Sequence, residues 1–134
     1  MTDYNGYGSA ELTINGVGLV LSGPATVKRG MKVVDGVHYS VEKKTNHSGR
    51  QAASEIRKVF SPSIEMSIQD VESGDIADLL SAESVNITLR IGHGAQSKTV
   101  IITEGFFEGE SNDTNTETGE VTGFTVTGGK FTEL

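Results

Sequence analysis

Two stretches of strict alternation constrain the fold more than any other feature of the chain. Ile64, Met66 and Ile68 alternate with Glu65, Ser67 and Gln69, and Val85, Ile87, Leu89 and Ile91 alternate with Asn86, Thr88 and Arg90. Successive side chains of a strand point to opposite faces, so a period of two gives each segment one face to bury and one that meets water. Turn chemistry divides the rest of the chain in the same style. Asn15-Gly16 and Asp35-Gly36 suit the positive φ angles of two-residue hairpins. The first predicts that Leu12 and Ile14 fold back on 17–21, and the second that the chain turns into a strand over 37–44. Gly23-Pro24 breaks the chain before a short strand over 25–29.

One helix is expected. Ser73 can cap it, Asp75 suits its first turn, and Ile76, Leu79 and Leu80 share one face at i, i+3 and i+4. Gly92-His93-Gly94 then turns the chain into a strand over 99–107, a polar and acidic excursion covers 108–119, a strand covers 120–127, and residues 130–134 add a short tail. The expectation is a mainly β protein, a small antiparallel β-sandwich or barrel with one short flanking helix. Residues 1–10, small, polar and glycine-rich, read as an N-terminal arm, and 11–134 as a single domain with no linker inside it.

Charge carries the strongest functional signal, because the net value of −7 conceals an asymmetry. Eight of the 11 basic residues lie between Lys28 and Lys58. Residues 1–58 carry 8 basic and 5 acidic residues, whereas 59–134 carry 3 and 13, giving +3 and −10. Lys43, Lys44, Arg50, Arg57 and Lys58 cluster around 45–53, which lacks any apolar period and reads as a long basic loop or hairpin tip. Opposite charges at two places on one chain suit head-to-tail association of copies, where complementarity sets register. A uniformly solvated surface is the plainer reading of the same residues. Tight nucleic-acid binding is disfavoured by the acidic balance.

Residues that carry chemistry are sparse. No cysteine is present, so disulfides and thiolate metal sites are excluded. His38, His47 and His93 are scattered without ligand spacing, and no nucleophile is paired with a base, so no enzymatic activity and no cofactor are expected. The stretch 110–117 is rich in oxygen donors but lacks the glycine and terminal glutamate of a calcium loop. Gly92-His93-Gly94 leads into a strand and lacks the lysine of a phosphate loop. Asn46, Asn86 and Asn112 begin glycosylation triplets, which are read as coincidence because the first residues have no secretory pattern. No run reaches the roughly 20 apolar residues of a membrane span, so no membrane insertion is expected.

Taken in order, an arm, the Thr13-Ile14-Asn15-Gly16 hairpin, a long loop, the 63–70 strand with a helix at 75–80, and a strand-rich C-terminal third resemble the tail tube proteins of Mu-like contractile-tailed phages. The strings that carry the likeness are 103–109 (Thr-Glu-Gly-Phe-Phe-Glu-Gly) and 118–128 (Thr-Gly-Glu-Val-Thr-Gly-Phe-Thr-Val-Thr-Gly), and the resemblance spans about 10–134. It implies hexameric rings stacked into a hollow tube inside a contractile sheath, assembled in the host cytoplasm and located in the virion tail. Its partners would be further copies, the sheath, and baseplate or tail-terminator proteins, with DNA passing through the lumen without specific binding. Tubes of tailocins and type VI secretion systems share the implied fold. A soluble carbohydrate- or peptide-binding β-sandwich is the alternative from another class.

Under that implication the ring-stacking candidates are Tyr4, Tyr7, Lys43, Lys44, Arg50, Arg57 and Lys58. Their acidic partner surface would be Glu104, Glu108, Glu110, Asp113, Glu117 and Glu120. Glu65, Ser67 and Gln69, the polar face of the 64–69 alternation, are the candidates for lining the lumen.

Overall fold

The computed structural model describes residues 10–45, 53–70, 76–92 and 97–134. Among them the chain is mainly β, with antiparallel pairing throughout and one short helix. The strands are β1 (Ala10–Ile14), β2 (Val17–Leu19), β3 (Thr26–Lys28), β4 (Lys32–Val34), β5 (Val37–Thr45) and β6 (Ala53–Val59). They continue as β7 (Ser63–Gln69), β8 (Val85–Ile91), β9 (Lys98–Phe107), β10 (Asp113–Thr114), β11 (Glu120–Thr127) and β12 (Lys130–Glu133), with α1 (Ile76–Leu80) between β7 and β8.

Both predicted hairpin turns form as expected. Asn15 and Gly16 have φ of 50° and 82°, Asp35 and Gly36 of 52° and 81°, the paired positive angles that match the twist of tight hairpins. Asn15 is also tied to its surroundings: its Oδ1 accepts from the Asn86 N–H at 2.8 Å and its Nδ2 donates to the Ser84 carbonyl. Of the predicted helix, Ile76–Leu80 is seen, while Ser73 and Asp75 lie outside the described residues. The sequence reading missed three strands. β4 is only three residues long, β6 reads in sequence as the flank of a basic loop, and β10 is a two-residue pairing inside the polar excursion. β1 begins at Ala10, one residue inside the segment read as an arm.

The main sheet runs β2-β1-β8-β9-β11-β7-β3. It closes on itself because the chain just after β2 pairs with β7: Leu21 bridges Ile68, the Ser22 N–H donates to Ser67 O at 3.0 Å, and the Gln69 N–H donates to Val20 O at 2.8 Å. The circuit β1, β8, β9, β11, β7 and β2 is therefore a closed barrel. Its interior is filled by the alternating residues: Ile64, Met66 and Ile68 from β7, Val85, Ile87 and Leu89 from β8, Leu12 and Ile14 from β1, and Val121, Phe124 and Val126 from β11. Each such aliphatic side chain contributes about 1.5–3 kcal/mol by leaving water. Leu79 of α1 joins this core.

β9 bends so that it can pair with β8 on one side and with β11 and β12 on the other. Glu104 (φ 57°) and Gly105 on β9 face Gly128 (φ 80°) and Gly129 (φ 57°) between β11 and β12. A Cβ on Gly129 would lie 1.9 Å from the Thr103 carbonyl oxygen, so only glycine fits the crossing.

The remaining strands, β4-β5-β6, form a separate three-stranded sheet. It is inserted between β3 and β7, and Lys28 at the end of β3 lies opposite Ser63 at the start of β7, so the chain leaves and re-enters the barrel at one point. The β9 bend and an open strand position on β2 give a direct contrast. Gly129→Ala should lower unfolding free energy by roughly 2 kcal/mol or more, whereas Gly18→Ala, whose Cβ would meet nothing within 4 Å, should change it by no more than about 0.5 kcal/mol in urea denaturation.

Candidate functional site

The inserted sheet is the feature for which the barrel has no structural need. A three-stranded sheet of this length has no core of its own, and His38 is the one buried residue in it among those described. Of the eleven large hydrophobic residues exposed in the described chain, six lie here or at its entry: Met31, Val33, Val34, Val37, Val41 and Val59. The register places Val34, Val37, Tyr39, Val41 and Val59 on one face, because Val34 faces Val37, Tyr39 faces Val59, and Val41 lies two residues along β5. An exposed apolar stripe of this kind is a candidate docking surface.

Two contacts pin the base of this sheet to β12. Arg29 reaches Glu133 with two nitrogens, one at 2.9 Å from Oε2. The His38 ring meets Phe131 edge-on at 5.2 Å, while its Nδ1 accepts the Gly30 N–H at 3.1 Å. A Cβ on Gly30 would lie 2.6 Å from the Tyr39 nitrogen, so this close approach requires glycine. Between the sheet base and β12 runs a groove of about 720 Å³, walled by Val33, Val37, Val59, Phe60 and Phe131.

The basic candidates do not form one surface. Lys43 and Lys44 are consecutive on β5 and so point to opposite faces, Arg57 sharing the face of Lys43 and Lys58 that of Lys44. Arg57 is bonded to Glu55, which also accepts from Lys32 at 3.0 Å, and Lys58 lies 3.9 Å from Glu42. The Arg57 and Lys32 contacts hold the Glu55 carboxyl below its ordinary range. Lys43 and Lys44 are exposed and form no ion pair among the described residues. Tyr4, Tyr7 and Arg50 lie outside the described residues.

The acidic candidates are spread along the barrel. Glu110, Asp113 and Glu117 are exposed on the excursion that ends beside Asp70, whose N–H donates to Gly119 O at 2.9 Å. That is the end of β7 remote from Ser63 and hence from the inserted sheet, about 20 Å along the strand at 3.3 Å per residue. Glu108 lies partway, its N–H bonded to Thr125 O, and Glu104 stands apart at the β9 bend. Glu120 is engaged within the subunit, accepting from Ser22 Oγ at 2.9 Å.

The three lumen candidates share the outer face of β7 and are half-buried. Glu65 pairs with Lys28 at 2.8 Å, and Gln69 donates to the Thr118 carbonyl. Thr26 and Thr125 flank Glu65 on β3 and β11, so the outer face of these three strands is polar. Among the described residues no three His, Asp or Glu side chains converge on a point, and no helix is long and apolar enough to cross a membrane. No protein-family model matches the chain, and no curated protein matches it.

The Arg29–Glu133 contact has a pH signature. Hydrogen bonding from Arg29 depresses the Glu133 carboxyl below its ordinary value of 4.5, against a smaller opposing effect of burial. A depressed acid stabilises the fold fully above its unfolded value, and that contribution is lost as pH falls through the lowered folded value. The stability difference between wild type and Glu133→Gln should therefore be largest near neutrality and shrink below pH 4.5, as read from urea midpoints across pH.

Proposed function

We propose that the chain is a self-assembling structural subunit of the inner tail tube of a contractile-tailed phage, forming rings, hexameric by the resemblance, that stack into a conduit for DNA. The observation that supports this best is the inserted sheet: an apolar, coreless projection at one end of a closed barrel, with Asp113 and Glu117, which form no ion pair among the described residues, toward the other and Glu110 partway between. A surface whose two ends are complementary to each other, but not each to itself, makes heterologous contacts, which generate rings or stacks rather than isolated dimers.

In this arrangement Lys43 and Lys44 on the projecting hairpin meet the acidic excursion of the next copy, with Arg50 from the same hairpin. Desolvation of the valine stripe supplies affinity and the charges supply orientation. The polar outer face of β3, β7 and β11 faces the lumen, where Glu65, Ser67 and Gln69 offer hydroxyl, amide and carboxylate groups to passing phosphates. An acidic protein repels DNA over about 8 Å at physiological salt, so the strand slides without adhering. Glycan recognition has less support: Phe106 is the one exposed aromatic residue among those described, and stacking on sugars needs such rings.

Purified protein at high concentration should form hollow tubes or six-fold rings in negative-stain electron microscopy. The charge-reversed variant Lys43→Glu/Lys44→Glu/Arg50→Glu should keep its circular dichroism spectrum and thermal midpoint while needing about tenfold more protein to assemble, a change worth about 1.4 kcal/mol. Assembly indifferent to this triple reversal would overturn the charge-guided contact, and a strictly monomeric wild-type particle at all concentrations would count against self-assembly.

A further inference from the structure

We propose that the groove between β12 and the base of the inserted sheet receives residues 1–9 of a second copy, added as an extended strand along the outer edge of β12. The inference builds on the self-assembly reading and names the segment that occupies a specific site.

Hydrogen-bond phase shows that β12 has a usable edge. Thr99 and Leu134 exchange both backbone bonds, at 2.8 Å and 3.3 Å. Alternation along the antiparallel ladder then directs the N–H and C=O groups of Lys130 and Thr132 toward β9, and those of Phe131 and Glu133 outward into the groove. No strand covers that side of β12 among the described residues. Unpaired strand edges beside an apolar channel are how extended peptides are captured: backbone bonds hold the chain while side-chain pockets select it.

The groove matches what residues 1–9 carry. Its walls include Val33, Val37 and Val59, exposed by 53%, 40% and 73%, together with Phe60 and Phe131. Tyr4 and Tyr7 are the chain's two aromatic residues outside the described residues, and a tyrosine combines an apolar ring with a polar tip suited to a channel open to water. Residues 1–9 contain no proline, so every backbone N–H from residue 2 onward can donate.

Topology assigns the occupant to another copy. Ala10 faces Ile91, Ile91 faces Lys98, and Leu134 faces Thr99, so Ala10 stands at the end of the barrel where β12 finishes, three strand positions away. Crossing those positions takes about 14 Å, or four to five residues. A segment reaching its own groove from there would run parallel to β12 with few residues left to pair. A segment from a second copy is free to run antiparallel, the stronger pairing, with one residue exchanging both bonds with Phe131.

The chain's lack of cysteine makes the test direct. Full-length single-cysteine variants Tyr4→Cys or Tyr7→Cys are each mixed with Val33→Cys or Val59→Cys, oxidised at assembling concentration, and assayed for the mixed disulfide by mass spectrometry, with Glu117→Cys at the far end as the control partner. At least one groove pair should cross-link about tenfold faster than the control, and amide exchange at Phe131 and Glu133 should slow on assembly in wild type but not in Tyr4→Ser/Tyr7→Ser. Cross-linking no faster than control, with those amides unprotected in assembled protein, overturns the proposal while leaving self-assembly standing. An intramolecular disulfide in dilute double variant Tyr7→Cys/Val59→Cys overturns the assignment to a second copy. Groove cross-links in small oligomers that never form tubes would uphold the proposal and count against the tube.

Discussion

The backbone bonds between 20–22 and β7 are the constraint on which the rest of the molecule depends. They join the two ends of the main sheet, so the six strands of the circuit have partners on both sides and their apolar faces enclose one core. A closed barrel of this size leaves no long edge in its wall for uncontrolled pairing. Any association through strand edges is thereby confined to what lies outside the circuit: the inserted sheet, β3, β10 and β12.

The inserted sheet depends on that closure because it has little else to hold it. It leaves and re-enters where β3 meets β7, and its base is clamped to β12 by Arg29 against Glu133 and by His38 against Phe131. Toward the tip, where Lys43 and Lys44 stand, there is no barrel contact of this kind among the described residues. The hairpin is thus fixed in direction at one end and exposed at the other, a sensible geometry for an element that reaches a neighbour. The ion pairs along it, Lys32 and Arg57 with Glu55 and Lys58 with Glu42, neutralise much of its positive charge within the subunit. They are exposed pairs, screened by water and individually weak, so their chief effect is to leave Lys43 and Lys44 as the charges offered outward.

The candidate site was legible in the sequence only in part, and the reason is geometric. Clustering of basic residues in the chain suggested a single basic surface, yet consecutive strand residues point to opposite faces and cross-strand neighbours consume Arg57 and Lys58. Glu104 and Glu120 were grouped with the other acids by proximity in sequence. The bend of β9 separates the first, and Ser22, 98 positions away, engages the second. The valine stripe escapes a sequence reading because Val34, Val37, Val41 and Val59 look like ordinary core residues until the sheet that holds them is seen to leave that face exposed among the described residues.

By itself the sequence determined the strands with strong alternation, the two hairpin turns and the antiparallel β class, since each rests on local geometry: side-chain period, and pairs of residues that accept positive φ. It did not determine β4, β6 or β10, whose pairing comes from partners rather than from apolar period. Tertiary structure decided that the sheet closes through 20–22, that Gly128 and Gly129 carry the chain across the β9 bend, and that the basic hairpin and the acidic excursion stand at opposite ends of β7. These are contacts between distant residues, and their energy depends on which surfaces meet, a quantity that no local pattern of side chains encodes.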